Sequence, residues 1–275
     1  MPFSQNLLVE KLKEGDREAY FYFCDYYTSK IYNLAYKMLG SREDAEDITQ
    51  DTIVQVYNNI KDFNGTSSLY TWVYKIAKNL CLKNLQGKKR NSFTSLEEII
   101  YKVQSEKAAK SFSSIEKKFY TNQVKEGCLI GLLKCLSFYQ RAAFILNILF
   151  NIKIKSLAKI LDKSENATRI LVHRSKKNIK SFLCENCSLY NSNNFCECEN
   201  LIEFSLKQGW IEKYYPDKID GTPYLSLERI EDELIGLKKI IYFYKDLSEK
   251  KPTEDFIEKM KTILEEGELK VFQKK

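Results

Sequence analysis

The sequence predicts a mainly α protein: two small helical domains joined by a flexible linker, the second a helix-turn-helix, then a Cys-rich zinc-knuckle-like segment and a helical C-terminal tail. Three observations carry this. Among 275 residues there are only 10 Gly and 4 Pro, the residues that interrupt regular structure. Apolar side chains recur at intervals of three and four through most of the chain, the period of a helix face. Charge is segregated, acidic from Glu43 to Asp62 and basic from Lys153 to Lys180, a pattern that suits a polyanion at one place and a basic partner at another.

The elements follow in order. Gln5 to Lys13 reads as a helix stopped by Gly15, and Asp16 caps the restart into the aromatic run Tyr20 to Tyr27. Ile31, Leu34, Ala35, Met38 and Leu39 make another amphipathic helix, ended by Gly40, with Ser41 as the next N-cap. In the helix that follows, Ala45, Ile48, Thr52, Val56 and Ile60 share one stripe and leave Glu43, Asp47, Gln50 and Asp51 on the outer face. After the turn-rich Asn64 to Ser68 comes a helix with an inner stripe of Leu69, Trp72 or Val73, Ile76 and Leu80. Lys75, Lys78, Asn79 and Lys83 face outward. A basic break at Gln86 to Ser92 leads to a polar stretch, 91–122, read as linker.

Apolar periodicity returns from Val124. Lys155 to Leu161 and Glu165 to Phe182 form two helices around Asp162-Lys163-Ser164, the break of a helix-turn-helix, with Ser164 capping the second. Thr168, Val172, Ser175, Ile179 and Phe182 form its core seam. The opposite face carries Asn166, Arg169, Ile170, His173, Lys176, Lys177 and Lys180, the composition of a helix laid in the DNA major groove. A solvated basic helix is the plain alternative.

Of the eight cysteines, Cys24, Cys81, Cys128 and Cys135 read as small buried hydrophobes. Cys184, Cys187, Cys196 and Cys198 supply a Cys-x-x-Cys and a Cys-x-Cys, four soft thiolates that suit Zn2+. Three readings stand: a structural zinc, a redox or metal sensor, and unligated thiols. The tail reads as a turn at Tyr214 to Pro216 and two amphipathic helices, Leu225 to Leu247 and Thr253 to Leu264, without a motif.

Together, Asp44-Ala45-Glu46-Asp47-Ile48-Thr49-Gln50-Asp51, Asp62-Phe63-Asn64-Gly65 and Tyr70 to Asn79 resemble an extracytoplasmic-function sigma factor of bacterial RNA polymerase, over roughly Leu7 to Leu183. The resemblance implies that 1–90 binds polymerase and the minus-ten promoter element, and that 123–183 reads the minus-thirty-five element. Asp44, Asp47, Gln50 and Asp51 become polymerase contacts. Phe63, Asn64, Gly65, Thr66 and Ser67, with Asn79, line a pocket for a flipped base, Trp72 lies at its edge, and Lys75, Lys78 and Lys83 hold the backbone. Ser164, Asn166, Arg169, Ile170, His173, Arg174, Lys176 and Lys177 face DNA. Lys163, Thr168 and Leu171 depart from the family pattern, which leaves base preference unreadable. Some members of this class carry Cys-rich extensions that sense metals, which implies the same for 184–198 by analogy; 199–275 has no assigned role.

The implied partners are core RNA polymerase and promoter DNA, with an anti-sigma factor as a third and no membrane. No apolar run of membrane-spanning length and no signal-peptide pattern are present, so the expectation is cytoplasmic. A classical helix-turn-helix regulator acting without polymerase is the alternative; it leaves Asp44 to Asn79 unused. An enzyme is not expected, because four cysteines close a zinc site and there is no His-Glu-x-x-His, no phosphate-binding Gly-rich loop and only one histidine.

Overall fold

A computed structural model describes residues 4–86, 93–104, 112–211, 244 and 252–265. The described residues are helical, with one isolated bridge between Cys187 and Cys196 and no strand, and the mainly α expectation holds. Contacts divide the chain into two compact units: 1–88 with 138–172 and 249–275, and 89–137 with 173–248. The expected 123–183 segment is thus shared between the two.

In the first unit, α1 (Gln5–Glu14), α2 (Arg17–Leu39), α3 (Arg42–Asn59) and α4 (Leu69–Leu85) start where a short polar side chain can accept a backbone N–H. Ser4, Asp16, Ser41 and Ser68 receive the N–H groups of Leu7, Ala19, Asp44 and Thr71, which satisfies donors that a helix start leaves orphaned. Gly15 (φ 81°) and Gly40 (φ 72°) close α1 and α2 in the left-handed region. No Gly or Pro falls between them after Asp16, so the two helices expected over 20–39 are one, 23 residues long.

Phe23, Ile31, Leu34, Met38, Ile53, Val56, Leu69, Val73 and Ala77 form the core of this bundle. The inner stripe of α4 is rotated from the one read in sequence. Val73, Ala77 and Cys81 are buried, whereas Trp72, Ile76 and Leu80 are half-buried. The same unit contains α7 (Phe138–Phe144), a π-helical turn (Ile145–Leu149) and α8 (Ile154–Leu161). Buried Arg141 donates to the Met38 carbonyl at the end of α2, and α8 packs on α4.

The second unit holds α5 (Phe93–Gln104) and α6 (Ser114–Cys135), so the segment expected to be a linker is largely helical. Two local causes account for this. Leu96, Ile99, Ile100 and Val103 recur at helical spacing, with Ile100 buried, and Ser113 with Glu116 makes a reciprocal capping box. The boundary between units falls within α9 (Glu165–Asn186). A short 3-10 turn, Cys198–Leu201, and α10 (Ile202–Lys207) pack on α6. The last described helix is α11 (Glu254–Glu265), in the first unit. Of the expected tail, the Tyr214 to Pro216 turn and all of Leu225 to Leu247 except Tyr244 lie outside the described residues.

Candidate functional site

The acidic helix α3 presents its carboxylates unequally. Asp47 and Asp51 are exposed; Asp44 and Gln50 are half-buried. Asp44 accepts from Asn84 Nδ2 of α4 at 3.0 Å, so one of the four expected contact residues also ties two helices together. Thr49 and Thr52 are buried and turn their hydroxyls back to the carbonyls of Ala45 and Ile48.

Between α3 and α4, Asn64 Oδ1 accepts from the N–H and the hydroxyl of Thr66 at 3.1 and 2.8 Å, an Asx turn that holds the loop without help from the core. Gly65 sits at φ 74°. Asn64, Gly65 and Thr66 are exposed and Ser67 is half-buried. Asn64, Gly65 and Ser67 border an open hollow of about 320 Å³ whose other wall is α1, through Gln5, Asn6, Val9, Glu10 and Lys13. The α1 wall was missed in sequence, since nothing local links position 9 to position 64. Phe63, expected to line a base pocket, is instead 6% exposed and packs on Trp72 with ring centroids 5.2 Å apart. Its apolar ring closes the bundle below the loop, although its edge reaches the hollow.

The cations of α4 differ more from expectation. Lys83 and Asn79 are exposed, but Lys78 is 3% exposed. Lys75 and Lys78 both pair with Asp162, Lys78 at 3.4 Å, and Lys159 donates to the Thr66 carbonyl at 2.7 Å. The turn of the helix-turn-helix thus pairs with two of the three cations expected to hold DNA, burying Lys78 and leaving Lys75 partly exposed. Burial lowers the Lys78 pKa despite the attraction of Asp162. Burial pushes the Asp162 pKa up, but the Lys75 hydrogen bond and the Lys78 charge outweigh it and hold the carboxyl below its ordinary value.

Asp162 adopts φ 55° at the end of α8, a conformation that Asp tolerates better than most residues. Ser164 accepts from the Ala167 N–H at 3.2 Å. Thr168, Val172, Ser175, Ile179 and Phe182 are buried. Ser164, Asn166, Arg169, Ile170, His173, Arg174 and Lys177 are exposed and Lys176 is half-buried, so the two faces of α9 separate as the sequence pattern requires.

In the cysteine segment, Cys187 and Cys196 face each other across a parallel bridge. The Ser188 N–H and hydroxyl both donate to the Cys196 carbonyl. Asn194 Nδ2 donates to the carbonyls of Cys184 and Cys187 at 2.9 and 3.1 Å, with a longer contact to Leu183, and so caps the end of α9. Cys184 is exposed. Burial raises the Cys128 thiol of α6, and Cys198, Cys187 and Cys196 raise it further; burial pushes Cys196 up to about 12. Cys128, read in sequence only as a core residue, therefore neighbours three of the four expected ligands. Among the described residues, no three Cys, His, Asp or Glu side chains converge on a metal-holding arrangement.

The family described as Sigma-70 region 2 matches residues 23–91, which run from α2 through the loop and α4. The ECF RNA polymerase sigma factor SigW of Bacillus subtilis is 37% identical over 89 residues, 32% of this chain and 48% of that protein. Residues 23–91 are thus similar to region 2 of sigma-70 factors. The match spans about half the length of the Bacillus protein, but another sigma-70 relative extends it. The ECF RNA polymerase sigma-E factor of Haemophilus influenzae is 24% identical over 176 residues, 63% of this chain and 92% of that protein. Among solved structures, CnrH in complex with the cytosolic domain of CnrY gives a TM-score of 0.49 at 14% identity, covering 66% of this chain and 97% of that one. No described helix is long and apolar enough to cross a membrane.

Proposed function

We propose that this chain is a non-enzymatic initiation factor that directs core RNA polymerase to specific promoters and assists their melting in the cytoplasm. The observation that carries this is the sigma-70 region 2 match over α2 to α4, joined to an acidic face on α3 and an exposed polar loop ahead of α4. In this reading Asp47 and Asp51, with Asp44 and Gln50, meet polymerase. Asn64 to Ser67, with Asn79 and Lys83, receive the unstacked strand, for which polar groups and a cation are the required chemistry. The exposed face of α9 reads duplex DNA upstream. Lys75 and Lys78 join the DNA surface only when Asp162 leaves them.

The test is to add the purified chain to core polymerase and sequence transcript starts from a genomic promoter library. Discrete new starts sharing two upstream motifs support the proposal. Duplex binding without any start favours a classical regulator instead.

Zinc on the cysteine segment is the second part of the proposal, supported by the donor set, since neutral thiols crowded together lose protons most readily to a soft cation. Cys187, Cys196 and Cys198 would hold it, completed by Cys184 or by Cys128. A bound ion would cross-link the segment and lower the pKa of its ligands. Zinc stoichiometry in Cys184→Ser and Cys128→Ser proteins identifies the fourth ligand; metal-free protein after growth in zinc excludes the site.

A further inference from the structure

The helix α11 lies far along the chain from α3, yet its start is fastened to the acidic motif. Both the N–H and the hydroxyl of Thr253 donate to Glu46 Oε1, at 2.9 and 2.8 Å. The Thr253 hydroxyl also accepts from the Phe256 N–H at 3.2 Å, so the residue that caps α11 is the one that holds Glu46. Glu46 in turn places a carboxylate at the positive end of the α11 dipole. Pro252, Phe256 and Met260 are buried, with the two side chains of α11 one turn apart on a single face, and α11 packs on α2. Glu46 immediately precedes Asp47 and stands one turn before Gln50, so α11 abuts the surface assigned above to polymerase.

The seat is built for release as much as for attachment. A helix of 12 residues is marginal by itself in water and depends on its docked face. The described part of that face buries only Phe256 and Met260 among its large apolar side chains. Thr253, whose two bonds to Glu46 fasten the start of α11, is itself exposed, so water competes for those bonds. Asp47 and Asp51 remain exposed, which leaves part of the acidic face open for a first encounter while α11 is still in place.

We propose that α11, seated on α2 and fastened to Glu46, is an intramolecular occupant at the edge of the α3 docking face, which polymerase must displace before it binds fully. This rests on the initiation-factor reading given above. The apparent affinity of a protein for its partner falls by the fraction of molecules in the competent state. A face that is open about one-tenth of the time therefore gains about tenfold in affinity when the occupant is removed.

The test uses the full chain carrying Thr253→Val, Phe256→Ser and Met260→Ser, with wild type alongside. Equilibrium affinity for core polymerase and amide hydrogen exchange are measured on both. The expected result is lost protection over 254–265 with binding about tenfold tighter. Lost protection with unchanged affinity overturns the occupant and leaves the initiation-factor reading intact. No polymerase binding by either protein overturns that reading, and the occupant with it. Thr253→Val alone, an exposed position that leaves the core untouched, guards against misfolding of the triple variant. It should tighten binding about two- to threefold, and no change there with α11 loosened also overturns the proposal.

Discussion

The α1–α4 bundle and the cysteine segment after α9 solve the same problem, closing a small structure, by different means. The bundle does so with large apolar side chains: Phe23, Tyr32, Leu34, Met38 and Tyr74 are essentially shut off from solvent, and each of its helices begins at a hydrogen-bonded cap. The cysteine segment relies on polar bonds to backbone, chiefly from Asn194 and Ser188, with Cys196 as a buried side chain of modest volume. Burial stabilises in proportion to apolar area, so the bundle draws most of its stability from that core, whereas a loop of thiols and amides draws little from burial.

Four substitutions sharpen that contrast, taken from the largest effect down. Leu34→Ala removes a fully buried side chain of the bundle and should cost about 2–5 kcal/mol in denaturant unfolding. Asn194→Ala leaves the carbonyls of Cys184 and Cys187 without that donor and should cost about 1–3 kcal/mol. Hydrogen exchange should place its loosening around 184–198 and spare α1–α4; equal loosening of the bundle would contradict the comparison.

Asp162→Asn keeps a residue that tolerates the left-handed conformation but removes the partner of buried Lys78. It should destabilise by about 1–2 kcal/mol in thermal unfolding. The pH dependence fixes the sign. Because the folded pKa of Asp162 lies below 3.8, its contribution is fully present above that value and is lost as pH falls through the folded pKa. The difference between wild type and variant should therefore shrink on acidification; a difference that persists would assign the effect to packing. Ser164→Ala should cost about 1 kcal/mol as a lost N-cap, detectable as a lower melting temperature with α9 otherwise intact.

The legible parts of the site share a property. Asp16, Ser41 and Ser164 were recognised as caps because each acts on an N–H three residues away. The two faces of α9 separated for the same reason, since residues three and four apart share a side. The linker failed where a short apolar stripe, Leu96 to Val103, was outvoted by its polar neighbours. Phe63 was only half legible, because a loop aromatic reads equally well as a stacking surface or as a plug, and the structure packs it on Trp72 while its edge still reaches the hollow.

The amino-acid sequence by itself determined most of the helices and their starts, the acidic and basic faces and the family-like pattern from Asp44 to Asn79, all of which depend on neighbours within about one or two turns. Tertiary structure alone decided which charges are already spoken for. Asp162 meets Lys75 across 87 residues and Thr253 meets Glu46 across 207, and Cys128 lies by Cys187, Cys196 and Cys198. Such partners leave no trace in local spacing, because packing of whole helices, and not the chain between them, brings those groups together.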